Sequence, residues 1–271
     1  MNIEVLKSLL AVPSYSFKED QMVAWLVAYI QTNFKTARVT VDAHKNVYVV
    51  KGNPEIAPCV AAHLDTVQPM RPVRVVEDAG RLLGFDTKDR QTGIGADDKA
   101  GIFVCLNLLA RFDNLRAVFF AEEECGCEGA PNAEDDFFQS VAYLIEYDCP
   151  SRNMLSYTTS GVQLFSNQGY FIRDALPVLR KHGTVLWQHH PFTDVTALRR
   201  RFPISCLNLS CGYYNWHAKN EFIKIDEVGM AIEQGTDLVN TLERRRYWCP
   251  VDLFEDGEPA IAVTGLQVPA P

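Results

Sequence analysis

The chain has 271 residues, of which 47% are hydrophobic and 22% charged, with a formal net charge of −8. That acidic balance argues against nucleic acid or an anionic membrane as the main partner, since either polyanion calls for a compensating basic surface. No apolar run reaches membrane-span length and the N-terminus lacks a signal-peptide pattern, so the 8 cysteines are expected as reduced thiols in a cytoplasmic protein.

Helical spacing is predicted over 3–10 and 18–34, the second helix with Ser16 as its cap and Glu19 three positions on. The period then shortens. Segments 38–42 and 47–50 flank the turn His44-Lys45-Asn46 as a hairpin, 57–63 is an apolar run expected of a buried strand, and 73–77 with 81–85 form a second hairpin around Ala79-Gly80. A helix follows from 98 to about 112, then a buried strand at 116–121, a short helix at 134–138 and a strand at 140–147. Segments 154–157 and 162–165 read as an antiparallel pair. Helices at 171–181 and 194–201 alternate with strands at 184–187 and 206–210, and the last helix runs from 226 to about 246. The basic cluster Arg199-Arg200-Arg201 is expected as a solvated helix end. This alternation, with interleaved hairpins, predicts an α/β fold with a mixed, mostly parallel β-sheet and helices on both faces. Neither repeat nor linker divides the chain. A single catalytic domain over 1–271 is expected, loose from about 250 onward, where Pro, Gly and acidic residues accumulate.

Residues that carry chemistry collect where core strands run out. Ala61-Ala62-His63-Leu64-Asp65-Thr66 ends the first buried strand. Two apart on a strand, His63 and Asp65 share a face, and a carboxylate so placed commonly fixes the tautomer of a metal-binding imidazole. On its own the pair is better read as a satisfied strand-end histidine. Gly93-Ile94-Gly95-Ala96-Asp97-Asp98-Lys99-Ala100-Gly101 opens a helix with adjacent carboxylates, which need cations nearby to stay ionised in a buried stretch. Helix capping by Asp97 is the plainer alternative. A phosphate loop fails, because there is no Gly-Lys-Ser/Thr ending and two carboxylates would repel the anion. In Phe119-Phe120-Ala121-Glu122-Glu123-Glu124-Cys125-Gly126-Cys127-Glu128-Gly129-Ala130, three glutamates leave a strand expected mid-sheet, where ligands gather in open α/β sheets. Elsewhere such a run is a solvated acidic turn. Leu144-Ile145-Glu146-Tyr147-Asp148-Cys149 again ends a strand in carboxylates, and the loop from Gly212 to Glu221 carries His217. Nitrogen and oxygen donors with no obligatory thiolate suit zinc first, then cobalt or manganese. Their number suffices for two ions sharing one carboxylate, a pair that activates water and polarises a carbonyl.

In order and wording, the motifs H-x-D-T, G-A-D-D-K-A-G and E-E-x-G-x-x-G-A, followed by a strand-end Asp and a C-terminal His, resemble the co-catalytic dizinc exopeptidases. That group holds zinc aminopeptidases, peptidase T-like tripeptidases and related carboxypeptidases and amidohydrolases. The resemblance spans His63 to Glu221. It implies a zinc-exopeptidase-like fold and two divalent metal ions, with Asp97 as the bridge. His63 and Asp148 would complete one site, and Glu124 and His217 the other. Asp65 would orient His63, Glu123 would act as general base and acid, and Glu122 falls outside the register. A cis peptide at Asp97-Asp98 is also implied.

Many relatives insert a lid or dimerisation domain between the fourth and fifth motifs. Here the interval 149–216 reads as part of the sheet domain, which places the resemblance with the lid-free aminopeptidase branch. The implied activity is hydrolysis of an amide bond in a small peptide. Two alternatives stand beside it: a deacylase or amidohydrolase acting on N-acyl amino acids or cell-wall fragments, and a non-catalytic metal-binding or scaffold protein that retains the fold. The intact ligands plus Glu123 weigh against the last, because unpaired buried carboxylates are costly without a cation. An exopeptidase also needs a group for the substrate α-amine, expected near Glu221 or Glu146. Cys125, Cys127 and Cys149 are expected as packing thiols, and His44, His182, His189 and His190 as surface or structural. Thr193-Asp194 is expected to position the loop ahead of the last strand. The sequence leaves the oligomeric state open.

Overall fold

The computed structural model describes residues 1–52, 55–67, 74–166, 169–190, 192–251 and 266. In chain order the elements begin with α1 (Ile3–Leu10), α2 (Asp20–Asn33), β1 (Ala37–Val41), β2 (Val47–Lys51), β3 (Ala57–His63), β4 (Arg74–Asp78), β5 (Arg81–Phe85), β6 (Gln91–Thr92) and α3 (Ala96–Arg111). They continue with β7 (Leu115–Phe120), α4 (Asp135–Phe138), β8 (Val141–Cys149), β9 (Met154–Thr159), β10 (Val162–Gln163), α5 (Tyr170–Lys181) and β11 (Val185–His190). The last are α6 (Asp194–Arg201), β12 (Cys206–Ser210), β13 (Tyr213–Tyr214), β14 (Phe222–Lys224) and α7 (Ile225–Leu242).

Among the described residues, the larger sheet has nine strands in the order β1-β2-β7-β3-β8-β12-β9-β10, with β11 beside β9. Its centre is parallel, from β7 through β3 and β8 to β12, and antiparallel pairings lie toward its edges. The apolar runs dictate this order: β3, β7 and β8 are buried at every position, as strands covered on both faces must be. The expected α/β architecture is therefore borne out. Helix α3 packs across β3, β7 and β8 and is in turn covered by α1 and α7. Gly101 permits that approach, since a Cβ there would clash with the Tyr147 carbonyl and the Asp98 carboxylate. A smaller sheet, β13-β14-β5-β4 with β6 beside β5, lies next to the C-terminal ends of the central strands.

Several expectations need correction. Helix α2 starts at Asp20 rather than 18, and Ser16 does not cap it; Ser16 Oγ donates to Asp65 Oδ2 at 2.7 Å instead. A charge-assisted bond to a buried carboxylate is stronger than a neutral one, and the cap position falls to Glu19, three residues on. Helix α7 stops at Leu242, not near 246, because Glu243 takes a left-handed backbone with φ 53°. Arg199 is no solvated residue. It is fully buried, and its guanidinium donates to the carbonyls of Gln163, Phe202, Cys249 and Pro250. The short strands β6, β13 and β14 went unpredicted. Apart from Val251 and Leu266, the expected loose tail lies outside the described residues.

Candidate metal centre

Strand geometry brings the predicted residues together. His63 closes β3, Asp148 is the last residue but one of β8, Glu123 and Glu124 follow β7, and Asp97 begins α3. His217 comes from the loop between β13 and β14. The Asp97-Asp98 peptide is cis. Asp97 Oδ1 lies 3.1 Å from His63 Nε2, and Asp97 Oδ2 lies 3.3 Å from His217 Nε2. Asp148 Oδ1 is 3.5 Å from His63 Nε2, and Glu124 Oε1 is 2.9 Å from His217 Nε2. The donor atoms of His63, Asp97 and Asp148 all lie within 4.8 Å of one another, as do those of Asp97, Glu124 and His217. His63, Glu123 and Glu124 meet the same limit, but Glu123 Oε2 stands farther off, 4.0 Å from His63 Nε2.

The electrostatics follow from crowding acids in a dry place. Burial alone would lower the His63 pKa, but Asp148, Asp65 and Asp97 outweigh it and hold the imidazole well above its usual value. Asp97 and Glu124 hold His217 up to about 10. Asp97 is kept low despite burial, by His217 and His63. Burial pushes Glu123, Glu124, Glu146 and Asp194 upward, and their mutual repulsion adds to it. Without metal, protonated imidazoles balance the convergent carboxylates. Divalent cations on the same nitrogen and oxygen donors would do so more completely, so the residues fit a metal centre.

The supports around the site are mostly carboxylates that accept backbone N–H groups. Asp65 accepts the backbone N–H groups of Glu123 at 2.9 Å and Glu124 at 3.2 Å, as well as the Ser16 hydroxyl. Its Oδ1 is 3.4 Å from His63 Nδ1, close enough for attraction but outside hydrogen-bond geometry. Asn46 clamps both ends of the glutamate loop, accepting the Ala121 N–H and donating to the Gly129 carbonyl. Asp98 accepts the N–H of His63 and of Gly101, tying β3 to the first turn of α3. Glu221 is committed to the turn before α3. It accepts the N–H groups of Ile94 and Gly95 at 2.8 Å and of Asp97 at 3.1 Å, and burial pushes it up to about 7. Glu146 is 1% exposed.

Four residues near the site hold left-handed backbone without being glycine: Glu122, Cys127, Asn215 and His217. Such conformations cost roughly 1–3 kcal/mol each and persist where the surroundings fix them. Cys125, Cys127 and Cys149 belong to none of the donor groups. Cys127 Sγ donates to Glu123 Oε1 at 3.3 Å, and Cys149 faces Ser156. His182 pairs with Asp237 at 2.7 Å. The side chains of His189 and His190 lie outside the described residues. Sequence reasoning missed the supporting roles of Asn46, Ser16 and Glu221, all of which act across long sequence separations.

No protein-family model and no curated protein matches the chain. Solved structures do match it. A tripeptidase from Staphylococcus aureus superposes with a TM-score of 0.76 at 14% identity, over 90% of this chain and 98% of that one. Aminopeptidase PepT from Bacillus cereus gives 0.72 at 14% identity, over 89% and 97%. The TET1 peptidase of Pyrococcus horikoshii, whose structure is described as assembling into a tetrahedron or a large octahedral shell, gives 0.65 at 15% identity, over 89% and 99%. At these identities the shared property is the fold, and it extends over nearly the whole of each chain.

Proposed function

We propose that the chain is a dinuclear metal-dependent hydrolase of small peptides, acting as an aminopeptidase. The observation that carries this reading is Asp97, whose two carboxylate oxygens face different imidazoles, at 3.1 Å and 3.3 Å. His63 and Asp148 would hold one ion, Glu124 and His217 the other, and Asp97 both. One imidazole and two carboxylates per group, with no thiolate, suit zinc first and cobalt or manganese next. Bound there, divalent cations supply Lewis acidity toward the scissile carbonyl and acidify the water that attacks it.

The residues of the chain do the rest. Glu123 takes a proton from the attacking water and delivers it to the leaving nitrogen. Asp65, by accepting the Glu123 N–H, keeps that carboxylate in reach. An aminopeptidase is favoured over a carboxypeptidase because strands β9 to β12 of the large sheet occupy the interval between Asp148 and His217. Among the described residues, no separate lid lies there to grip a substrate carboxylate. The likeness in fold to an aminopeptidase and a tripeptidase supports the same choice. We read the whole chain as one catalytic domain, and its free thiols fit a cytoplasmic setting.

The test is a panel of aminoacyl, N-acyl and short-peptide substrates, assayed after reconstitution with zinc, cobalt or manganese and paired with metal analysis. Cleavage of free-amine peptides with about two ions per chain is expected. Cleavage confined to N-acyl substrates would move the reading to a deacylase, and a chain that takes up no metal would remove it.

A further inference from the structure

Thr193 stands outside every donor group, yet its hydroxyl reaches the centre from behind. It is fully buried at the N-cap of α6. Thr193 Oγ1 lies 2.8 Å from Asp148 Oδ2 and 2.9 Å from Glu146 Oε2. Glu146 and Asp148 converge on this one hydroxyl where the register of β8 against β12 shifts between Glu146 and Cys149, an irregularity of the kind that re-aims a side chain. Asp148 uses its other oxygen, Oδ1, toward His63. The two oxygens of that carboxylate are thus divided between the candidate centre and the threonine.

The element carrying Thr193 is firmly held. Thr193 and Thr196 brace the first turn, the Thr193 N–H donating to Thr196 Oγ1 at 3.4 Å and the Thr196 N–H to the Thr193 carbonyl at 2.9 Å. Thr196 is hydrogen-bonded to Thr159 of β9. Arg199 is locked by four carbonyls, and Arg201 donates to the carbonyls of Ala130 and Ala133, just beyond the glutamate loop. A helix fixed in this way presents its cap as a stationary hydrogen-bond donor. The α6 N-terminus also carries the positive end of the helix dipole, which favours a nearby carboxylate.

We propose that Thr193 is a positioning residue that aims Asp148 at the His63-side ion, setting the affinity of that ion and leaving the His217-side ion alone. This rests on the two-ion reading above. A carboxylate with one oxygen pinned loses its freedom to rotate away from a ligating pose, and loss of such an outer partner typically costs 10–100-fold in metal affinity.

The experiment titrates cobalt into metal-free wild type and T193V, T193S and T193C, following the absorption bands of the two sites and peptide cleavage. Wild type should bind two ions. T193V, which keeps the shape and removes the hydroxyl, should bind one of them about 10–100-fold more weakly, with the other unchanged. T193S should restore wild-type binding, and T193C, with a weaker donor, should fall between serine and valine. If T193V does not fold, the order Thr ≈ Ser > Cys still decides the matter. Equal affinity for both ions across the series would overturn the positioning role while leaving the two-ion reading intact. Equal weakening of both ions would overturn the assignment of Thr193 to one side. A wild type that binds no second ion would take the proposal down with the reading beneath it.

Discussion

His63 and His217 face the same carboxylate under opposite conditions: the imidazole of His63 is 1% exposed and that of His217 is 44% exposed. One half of the centre is made of strand ends. His63 and Asp148 belong to β3 and β8, adjacent parallel strands at the middle of the sheet, where the core fixes every rotamer. The other half hangs on loops, with His217 in left-handed backbone at φ 59°. The contrast teaches a division of labour. The strand-end half is preorganised and closed, and the loop half is the one open to solvent.

The largest effect expected tests the residue between the halves. Glu123→Gln should lower kcat about 10²–10⁴-fold with metal content retained, while Glu122→Gln changes neither strongly. If Glu122→Gln were the variant to abolish turnover, the register of the glutamate run would be off by one.

Next come the histidines themselves. His63→Ala removes the buried partner of Asp97 and Asp148, and should destabilise the metal-free protein by about 3–5 kcal/mol in chemical denaturation. His217→Ala should destabilise the metal-free protein less than His63→Ala does, because its imidazole is half-exposed, and should lose one ion. Equal destabilisation by both would erase the distinction between a core half and a loop half. Asn46→Ala, which unties both ends of the glutamate loop, should cost about 2–3 kcal/mol, measurable as a lowered denaturation midpoint.

Acidity sharpens the comparison in the metal-free protein. His217, held up to about 10, keeps a proton in the folded state that the unfolded chain releases near its ordinary 6.5. The stabilisation it gives is complete below about pH 6.5 and is lost as the pH rises through about 10. Glu221, pushed up to about 7, acts in the same direction between about pH 4.3 and 7, because folding favours its neutral form. Thermal midpoints of chelator-treated protein should therefore fall as the pH is raised, less steeply in His217→Gln. A midpoint that climbs with pH would contradict this. The smallest effect expected is that of Cys125→Ser, an exposed thiol in none of the donor groups, which should leave metal content within about twofold.

The same contrast explains what could be read in the sequence. β3 was legible to its last residue, because an unbroken apolar run ending in a histidine admits few other readings. His63 and Asp148 were legible because they stand at such ends, whereas Asp97, Glu124 and His217, on a helix start and loops, were reached through the order of the motifs. The supports were not. Ser16 bonds 49 positions away and Thr193 reaches 45 positions back to Asp148, and nothing in local periodicity signals either. Arg199 misled for a related reason: a run of arginines reads as solvated unless the carbonyls that will surround one of them are known. β6 and β13 are two residues long and β14 is three, too short for alternation to register.

Asp65 joins three stretches of chain at one carboxylate: the N-terminal segment through Ser16, the end of β3 on which it sits, and the glutamate loop through two N–H groups. Seen as a piece of engineering, this makes the first sixteen residues part of the machinery that holds the proposed base. Trimming them as an inert extension, or crowding them with a fusion partner, would take from Asp65 Oδ2 one of its two donors, leaving only the Glu124 N–H, and slacken the glutamate loop more than a hundred positions downstream in sequence. Libraries that vary residues near the centre should therefore include Ser16 and its neighbours, which no map drawn by sequence distance would select.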